Sequence, residues 1–458
     1  MNGRDSCNAI YETSSRSRTL LIEKDSAAPR FCRSIDAEWP LAKHSRPHIR
    51  PLVVTTIIPP MRTRPYLAAF FAVALFSASA APQPDQFTPL VVAPLTANTR
   101  SFHGTDGKTH LTYELVLTNT NPTPATLQRV VIVDASDQSK ALASFDGRRL
   151  LSHLRTTGAT AADSPTIEFN QTRLLLIDFT LDPLATIPAR VLHNLQVLAA
   201  PAPSLRPATP VALSYTVAPL DINPNLPQIG PPLSGGGWVA INGCCEQTLA
   251  HRVSSLGCNG GIYFAQRFAI DWMRLDKAGR LLTGDPADVH SYPDYGADVL
   301  AVAEGTVVGM LDALDDQKPG SLPDRNTITI ENVDGNHLVI DLGDGVFAFY
   351  AHLRHGSIKV AVGDRVHRGQ VLASLGNTGN TSAPHLHFQL MESPSVLCSN
   401  GLPYSFDSFA LAGQIPLADY ANATGMEGNW NKGMFPAPVS RKGQYPLDLN
   451  IVDFSSAK

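Results

Sequence analysis

The chain has 458 residues, is 43% hydrophobic and 17% charged, and carries a formal net charge of −4. This length exceeds one ordinary core and implies two domains with additional segments. The apolar content excludes wholesale disorder, the mild negative charge gives no footprint for a nucleic-acid binder, and Pro (36) and Gly (33) with 7% aromatics favour strands and turns over long helices.

Residues 1–60 show no hydrophobic periodicity and mix charges of both signs. From Met61 the chain reads MRTRPYLAAFFAVALFSASAAPQ. Arg62 and Arg64 form a positive n-region, Pro65 to Phe76 is almost wholly apolar, and Ala78-Ser79-Ala80 is a small-residue cleavage pattern. This is the pattern of a secretory signal peptide, too short to span a bilayer comfortably. A signal peptide opens a protein, so residues 1–60 are expected to be a start-site artefact. The alternative is an internal apolar segment in a genuine extension. Cleavage near Ala80 leaves 378 residues, and loss of 11 Lys+Arg and 6 Asp+Glu takes the formal charge to −9. The expected location is outside the cytoplasm, in the periplasm or the medium. No transmembrane segment is expected in the mature chain, since no other run is long and apolar enough.

Four cysteines remain after cleavage: Cys244, Cys245, Cys258 and Cys398. An even count in an exported protein suggests disulfides. Vicinal Cys244 and Cys245 are expected to reach different partners rather than each other, with Cys258 and Cys398 available. A cysteine zinc site is the competing reading, against which stands the absence of any CxxC.

Residues 82–218 read as an all-β domain. His110 to Thr118 (HLTYELVLT) places Leu111, Tyr113, Leu115 and Leu117 on one face. Arg129 to Val133, Leu174 to Leu181 and Val211 to Val217 are further strand-like runs. Their spacing suggests an immunoglobulin-like β-sandwich. Its histidines, His103, His110, His153 and His193, show no ligand spacing and are read as surface or satisfied groups; the domain's expected role is binding or spacing. Pro219 to Gly237, with five prolines and a terminal glycine run, reads as a linker. A second, antiparallel β domain is expected over 238–440, with a loop-rich extension to 458. Its strands are Val299–Val308, Asn326–Val333, His337–Leu342, Val346–Ala351, Val371–Leu375 and His385–Met391. Asp334-Gly335 and Asp344-Gly345 read as hairpin-type turns.

The chemistry lies in this second domain. His385-Leu386-His387 sits in a strand-like run, and residues i and i+2 of a strand share a face. Two imidazoles on one wall suit zinc, one binding metal and the other working on its water. Tyr350-Ala351-His352-Leu353 ends another strand, and the loop Gly376-Asn377-Thr378-Gly379-Asn380-Thr381 leads into His385, with Asn377 and Asn380 expected to shape that turn. Ala269-Ile270-Asp271 offers a carboxylate after an apolar run.

With these motifs in order, residues 295–391 resemble the lysostaphin and LytM-type zinc endopeptidases that cut peptide crosslinks in bacterial peptidoglycan. The carrying stretches are YGADVLAVAEGTVV, NTITIEN and FYAHLRHGSIKVAVGDRVHRGQVLASLGNTGNTSAPHLHFQLM. The resemblance implies an antiparallel, barrel-sandwich β fold with one zinc ion on the floor of a groove. It implies Asp271 and His387 as metal ligands, and His352 and His385 as the catalytic histidines around the attacking water. The implied partners are peptidoglycan peptides.

One departure matters. The family's further ligand is a His four residues before the Asp, and that position is Arg267 here. A guanidinium does not bind metal, and its charge would repel a nearby dication. Either another side chain supplies the ligand, or the domain has lost zinc and become a module that binds cell wall or activates another hydrolase. His251, between Cys245 and Cys258, is the first replacement candidate and His290 the second. His337, His355 and His367 are read as ordinary loop or turn histidines.

Overall fold

The computed structural model describes residues 85–201, 208–422 and 428–455. The expected signal peptide at 61–80 and the expected start-site artefact at 1–60 lie outside the described residues. The described residues are nearly all β: an N-terminal β-sandwich followed by a long antiparallel sheet. The two helices among the described residues, Gly147–His153 and Leu417–Asn422, are short. No described helix is long and apolar enough to cross a membrane.

In the sandwich, Thr109–Asn119 pairs with Thr172–Leu181 in one layer, while Ala125–Asp134, Asp137–Asp146, Arg190–Ala199 and Val211–Asn223 form the other. Asn98–His103 joins the layers. Its first half runs parallel to Asp221–Asn223 and its second half antiparallel to Thr109–Leu111. Leu111, Tyr113, Leu115 and Leu117 fill the core against Ile177, Val130, Ile132 and Val197. The alternate positions of the same strand are covered too. Thr112 and Glu114 are buried, and Val116 packs with Leu174, Leu176 and Phe264 in a separate cluster. The strand is therefore sandwiched between its own domain and the chain that follows.

Within the Pro219–Gly237 stretch, Pro219 to Asn223 continues the Val211–Asn223 strand, and Gly235 to Gly237 opens the Gly235–Ile241 strand. The glycines serve close approach rather than flexibility. A Cβ at Gly236 would lie 2.6 Å from the Asp453 carboxylate, and at Gly235 (φ +82) 2.8 Å from the Arg274 guanidinium.

The second sheet is antiparallel throughout. Its order is Arg365–Val366, Gly305–Leu311, Asn336–Asp341, Phe347–Leu353, Leu386–Met391, Ile270–Arg274, Gly235–Ile241, Asn450–Phe454, Phe409–Gln414, Met434–Arg441, with Gly401–Leu402 paired to Leu386–Met391 off this path. One face buries Trp238, Trp272, Tyr350, Leu386, Phe388 and Leu390 in the main core. The opposite face carries Asp271, His387 and Gln389, the alternate residues of the same strands. Asp344 (φ 51) and Gly345 (φ 70) make the expected tight hairpin between Asn336–Asp341 and Phe347–Leu353.

Other expectations change as well. The expected strand Val299–Val308 is split into Asp298–Leu300, paired with Val371–Ser374, and Gly305–Leu311 in the main sheet. The stretch 326–333 is not a strand. Asp324 caps a short Arg325–Thr327 turn, and the Asn332 side chain accepts from Thr329 N (2.7 Å), so local side-chain bonds compete with a ladder. The region after Met391 is less loop-like than its composition implies, because three of its strands extend the sheet. Finally, Cys244 is bonded to Cys245, and Cys258 to Cys398. The Ser255–Cys258/Gly261–Phe264 hairpin packs beside Asn400, whose Oδ1 accepts from Phe264 N (2.9 Å), and this brings Cys398 to Cys258 rather than to the vicinal pair.

Candidate metal centre

Ile270–Arg274 and Leu386–Met391 pair with Asp271 directly opposite His387. His387 Nδ1 lies 2.9 Å from Asp271 Oδ1. His251, on the loop after Gly235–Ile241, reaches the same carboxylate from the other side, with Nε2 3.3 Å from Asp271 Oδ2. One donor atom from each of His251, Asp271 and His387 lies within 4.8 Å of the others. The structure thus brings together the three residues read as ligands. His290 is not among them; it is exposed and pairs with Asp288 (2.9 Å).

The hydrogen bonds around the imidazoles decide what this space accepts. His251 Nδ1–H donates to the carbonyls of Asn242 and Ala269, both at 3.1 Å. His387 Nε2–H donates to Gln389 Oε1 at 3.1 Å. In its neutral form each ring therefore spends its one N–H outward and presents a lone pair inward, at a carboxylate that also offers only lone pairs. Such an acceptor-only cage needs a cation or shared protons at its centre. The donor set, two imidazole nitrogens and a carboxylate with oriented outer partners, fits a zinc site with an open position.

His352 and His385 flank it. Their rings are 4.6 Å apart, and His352 lies 6.0 Å from the His387 ring, centroid to centroid. His385 Nε2 is 3.5 Å from Asp271 Oδ1. His352 Nδ1–H donates to Thr378 O (2.7 Å), and His385 Nδ1–H to Ala383 O (2.9 Å). In the neutral rings the Nε2 atoms remain as acceptors, and a protonated His385 turns its Nε2–H toward Asp271. Regular alternation would send His352 to the core face with Tyr350. Its left-handed backbone (φ 59) breaks the period and turns the ring toward the other histidines. Asn377 Oδ1 accepts from Thr381 Oγ1 (2.9 Å), and that hydroxyl lies 3.3 Å from His385 Nδ1.

Burial and one carboxylate set the electrostatics. Burial alone would raise the Asp271 pKa, but the charges of His251 and His385 outweigh it and hold the carboxyl well below the usual range. Burial depresses His251 and His385, and the facing Asp271 reverses both shifts to upward. For His387 burial wins and the pKa falls. His352, buried and facing two other imidazoles, falls well below the ordinary histidine value and stays neutral.

Arg267 is turned to other work. Its Nη1 pairs with Glu114 Oε2 (2.5 Å), and its Nε and Nη2 donate to Gly401 O. Sequence reading missed Glu114, and it missed Asn242 and Gln389. Asn242 donates Nδ2–H to Asp271 Oδ2 (2.8 Å) while its carbonyl holds His251. Gln389 stands two residues after His387 on the same strand face, which is the signal that could have found it. His355 and His367 are exposed on acidic partners, and His337 is half-buried on Gly335 O.

Residues 289–398 match the model described as Peptidase family M23. That stretch contains His352, His385 and His387 and begins beyond His251 and Asp271. Glycyl-glycine endopeptidase ALE-1 of Staphylococcus capitis is 47% identical over 58 residues, 12% of this chain and 16% of that protein. Peptidoglycan DD-endopeptidase ShyA of Vibrio cholerae is 42% identical over 57 residues, 12% of this chain and 13% of that protein. The matched stretches are thus a small part of both relatives. Among solved structures, the catalytic domain of the antimicrobial peptidase lysostaphin from Staphylococcus simulans is 25% identical over 32% of this chain and 80% of that one, with a TM-score of 0.20. The resemblance carried by the sequence motifs is shown for this part of the chain.

Proposed function

We propose that the protein is an exported zinc metalloendopeptidase that hydrolyses peptide bonds in peptidoglycan crosslinks or stem peptides. One zinc ion is held by His251, Asp271 and His387. The observation that carries this reading is the convergence of those three donors within 4.8 Å, each imidazole oriented by an outward hydrogen bond. The M23 match and the two peptidoglycan- and glycine-peptide-cleaving relatives support the substrate class. The signal pattern at 61–80 supports export, and paired cysteines suit an oxidising compartment.

Bound zinc would polarise the scissile carbonyl and bring the pKa of a coordinated water toward about 7. The chain's own part is proton handling and orientation. His352 Nε2, neutral and unprotonated, is an acceptor for the water's proton, and the His385 ring lies beside it, 4.6 Å away between centroids. The imidazole that takes the proton is placed to return it to the leaving amine. Thr378 and Ala383 carbonyls keep both rings in that tautomer. The competing reading, a metal-free wall-binding module, drew its support from Arg267. That guanidinium is occupied by Glu114 and Gly401 O, and no specific observation favours the module.

The test is digestion of isolated peptidoglycan by the full chain, with new amines located by mass spectrometry. Wild type is expected to release them, and His385→Ala and His387→Ala to lose the activity. Undiminished hydrolysis by His387→Ala would end the proposal.

A further inference from the structure

We infer that Glu114, in the N-terminal sandwich, is a positioning residue for the metal centre of the second domain. The inference rests on the reading of His251, Asp271 and His387 as a zinc site. Glu114 lies mid-strand on Thr109–Asn119 with its side chain fully buried. Its two oxygens hold two arginines: Oε1 takes Arg252 Nη1 at 2.6 Å and Oε2 takes Arg267 Nη1 at 2.5 Å.

Each arginine governs one half of the support for His251. Arg252 is the next residue along the chain. Besides Glu114 it donates to Asp178 Oδ2 (3.1 Å) and to the carbonyls of Tyr113 and Ile177, all in the sandwich. Arg267 precedes Ala269 by two residues, and the Ala269 carbonyl accepts from His251 Nδ1. One carboxylate therefore ties down both the segment that bears the ligand and the segment that orients it. The sandwich becomes part of the metal site.

The chemistry of the cluster favours this over simple stability. A buried ion network pays desolvation for every charge, and apolar side chains of similar volume often stabilise as well or better. What the network supplies is one geometry. Arg267 stands where the related peptidases carry a ligand; here the ligand comes from a loop, and the arginine helps hold that loop's acceptor.

The test is a double-mutant cycle read as zinc affinity. Dissociation constants are measured by competition with a chromophoric chelator for full-length wild type, Glu114→Gln, His251→Ala and the double variant. Glu114→Gln is expected to weaken zinc binding roughly 10- to 100-fold, as loss of an outer support typically does. In the His251→Ala background the same change is expected to cost less than about twofold, because the ligand it positions is gone. A Glu114→Gln affinity within twofold of wild type, or equal weakening in both backgrounds, would overturn the inference. If Glu114→Gln does not fold, Glu114→Leu/Arg252→Met/Arg267→Met removes the charges together and is held to the same two criteria. Failure of wild type to bind zinc, or wild-type affinity in His251→Ala, would instead overturn the metal-site reading and this inference with it.

Discussion

Asp271 and His387 face each other directly across two antiparallel strands, with His387 Nδ1 2.9 Å from Asp271 Oδ1. They are 116 residues apart in sequence, and only the sheet register joins them. A one-residue slip would send His387 to the core face and Leu386 or Phe388 to the groove. The site is thus written into strand pairing, and the groups that hold each ring are its exposed points of failure.

Gln389 is the first of these. It is buried, and its Oε1 accepts from His387 Nε2 at 3.1 Å, which leaves Nδ1 as the inward lone pair. Gln389→Leu keeps the volume and removes the acceptor. Zinc affinity is expected to fall roughly 10- to 100-fold, with Gln389→Glu retaining most of it. Chelator competition measures both, and equal affinity for the Leu variant would show that the ring needs no such partner.

Gly335 supports His352 from a distance. Its φ is +67, and a Cβ there would lie 2.1 Å from the Thr378 carbonyl that accepts from His352 Nδ1. Gly335→Ala must displace that carbonyl and also strain a left-handed backbone by about 1–2 kcal/mol. The expected result is a loss of at least about tenfold in kcat with zinc stoichiometry unchanged, in line with the sensitivity of catalysis to small misplacements. Steady-state kinetics beside metal analysis checks it; full kcat in a folded Ala variant would contradict it.

His193 makes stability depend on pH. Burial takes its pKa down to about 4, with Tyr113 Oη 2.8 Å from Nε2 and Ala218 O 2.7 Å from Nδ1. The folded value lies below the unfolded one of about 6.5, so the unfolded chain binds the extra proton between them. The contribution is fully present above about pH 6.5 and is lost as pH falls toward 4. The loss reaches about 2–3 kcal/mol by pH 4.5. Urea unfolding at pH 7 and 4.5 should show a smaller drop for His193→Gln than for wild type by about that amount. Parallel pH dependence in the two proteins would refute the assignment.

Much of this was legible in the sequence, for reasons particular residues make clear. Leu111, Tyr113, Leu115 and Leu117 alternate cleanly, and all four are in the sandwich core. Arg190–Ala199 was harder to see, because one of its inward positions is His193 and the apolar period breaks there. Asp137–Asp146 is polar and exposed over its first half, as an edge strand is. In the site, HxH and YAH point to local strand geometry, so His352, His385 and His387 stood out. Gln389 and Asn242 act through single hydrogen bonds that composition does not signal. Glu114 carried a signal that went unread, an acid in the middle of an apolar strand, which is stable there only with buried partners.

The same logic explains the tail. Phe409–Gln414 and Asn450–Phe454 extend the sheet beyond the Gly235–Ile241 strand, yet each is six residues or fewer and separated by Gly, Asn and Pro. Short strands whose partners lie far away in sequence leave little local pattern to read.

The central claim is a zinc ion held by His251, Asp271 and His387, and metal analysis of the purified full chain tests it most directly. Wild type is expected to carry one zinc per chain. Asp271→Ala, which removes the carboxylate shared by both imidazoles, is expected to carry none after the same purification, with its fold retained by circular dichroism. Zinc at unchanged stoichiometry and affinity in Asp271→Ala, or none in a folded wild type supplied with the metal, would contradict the account.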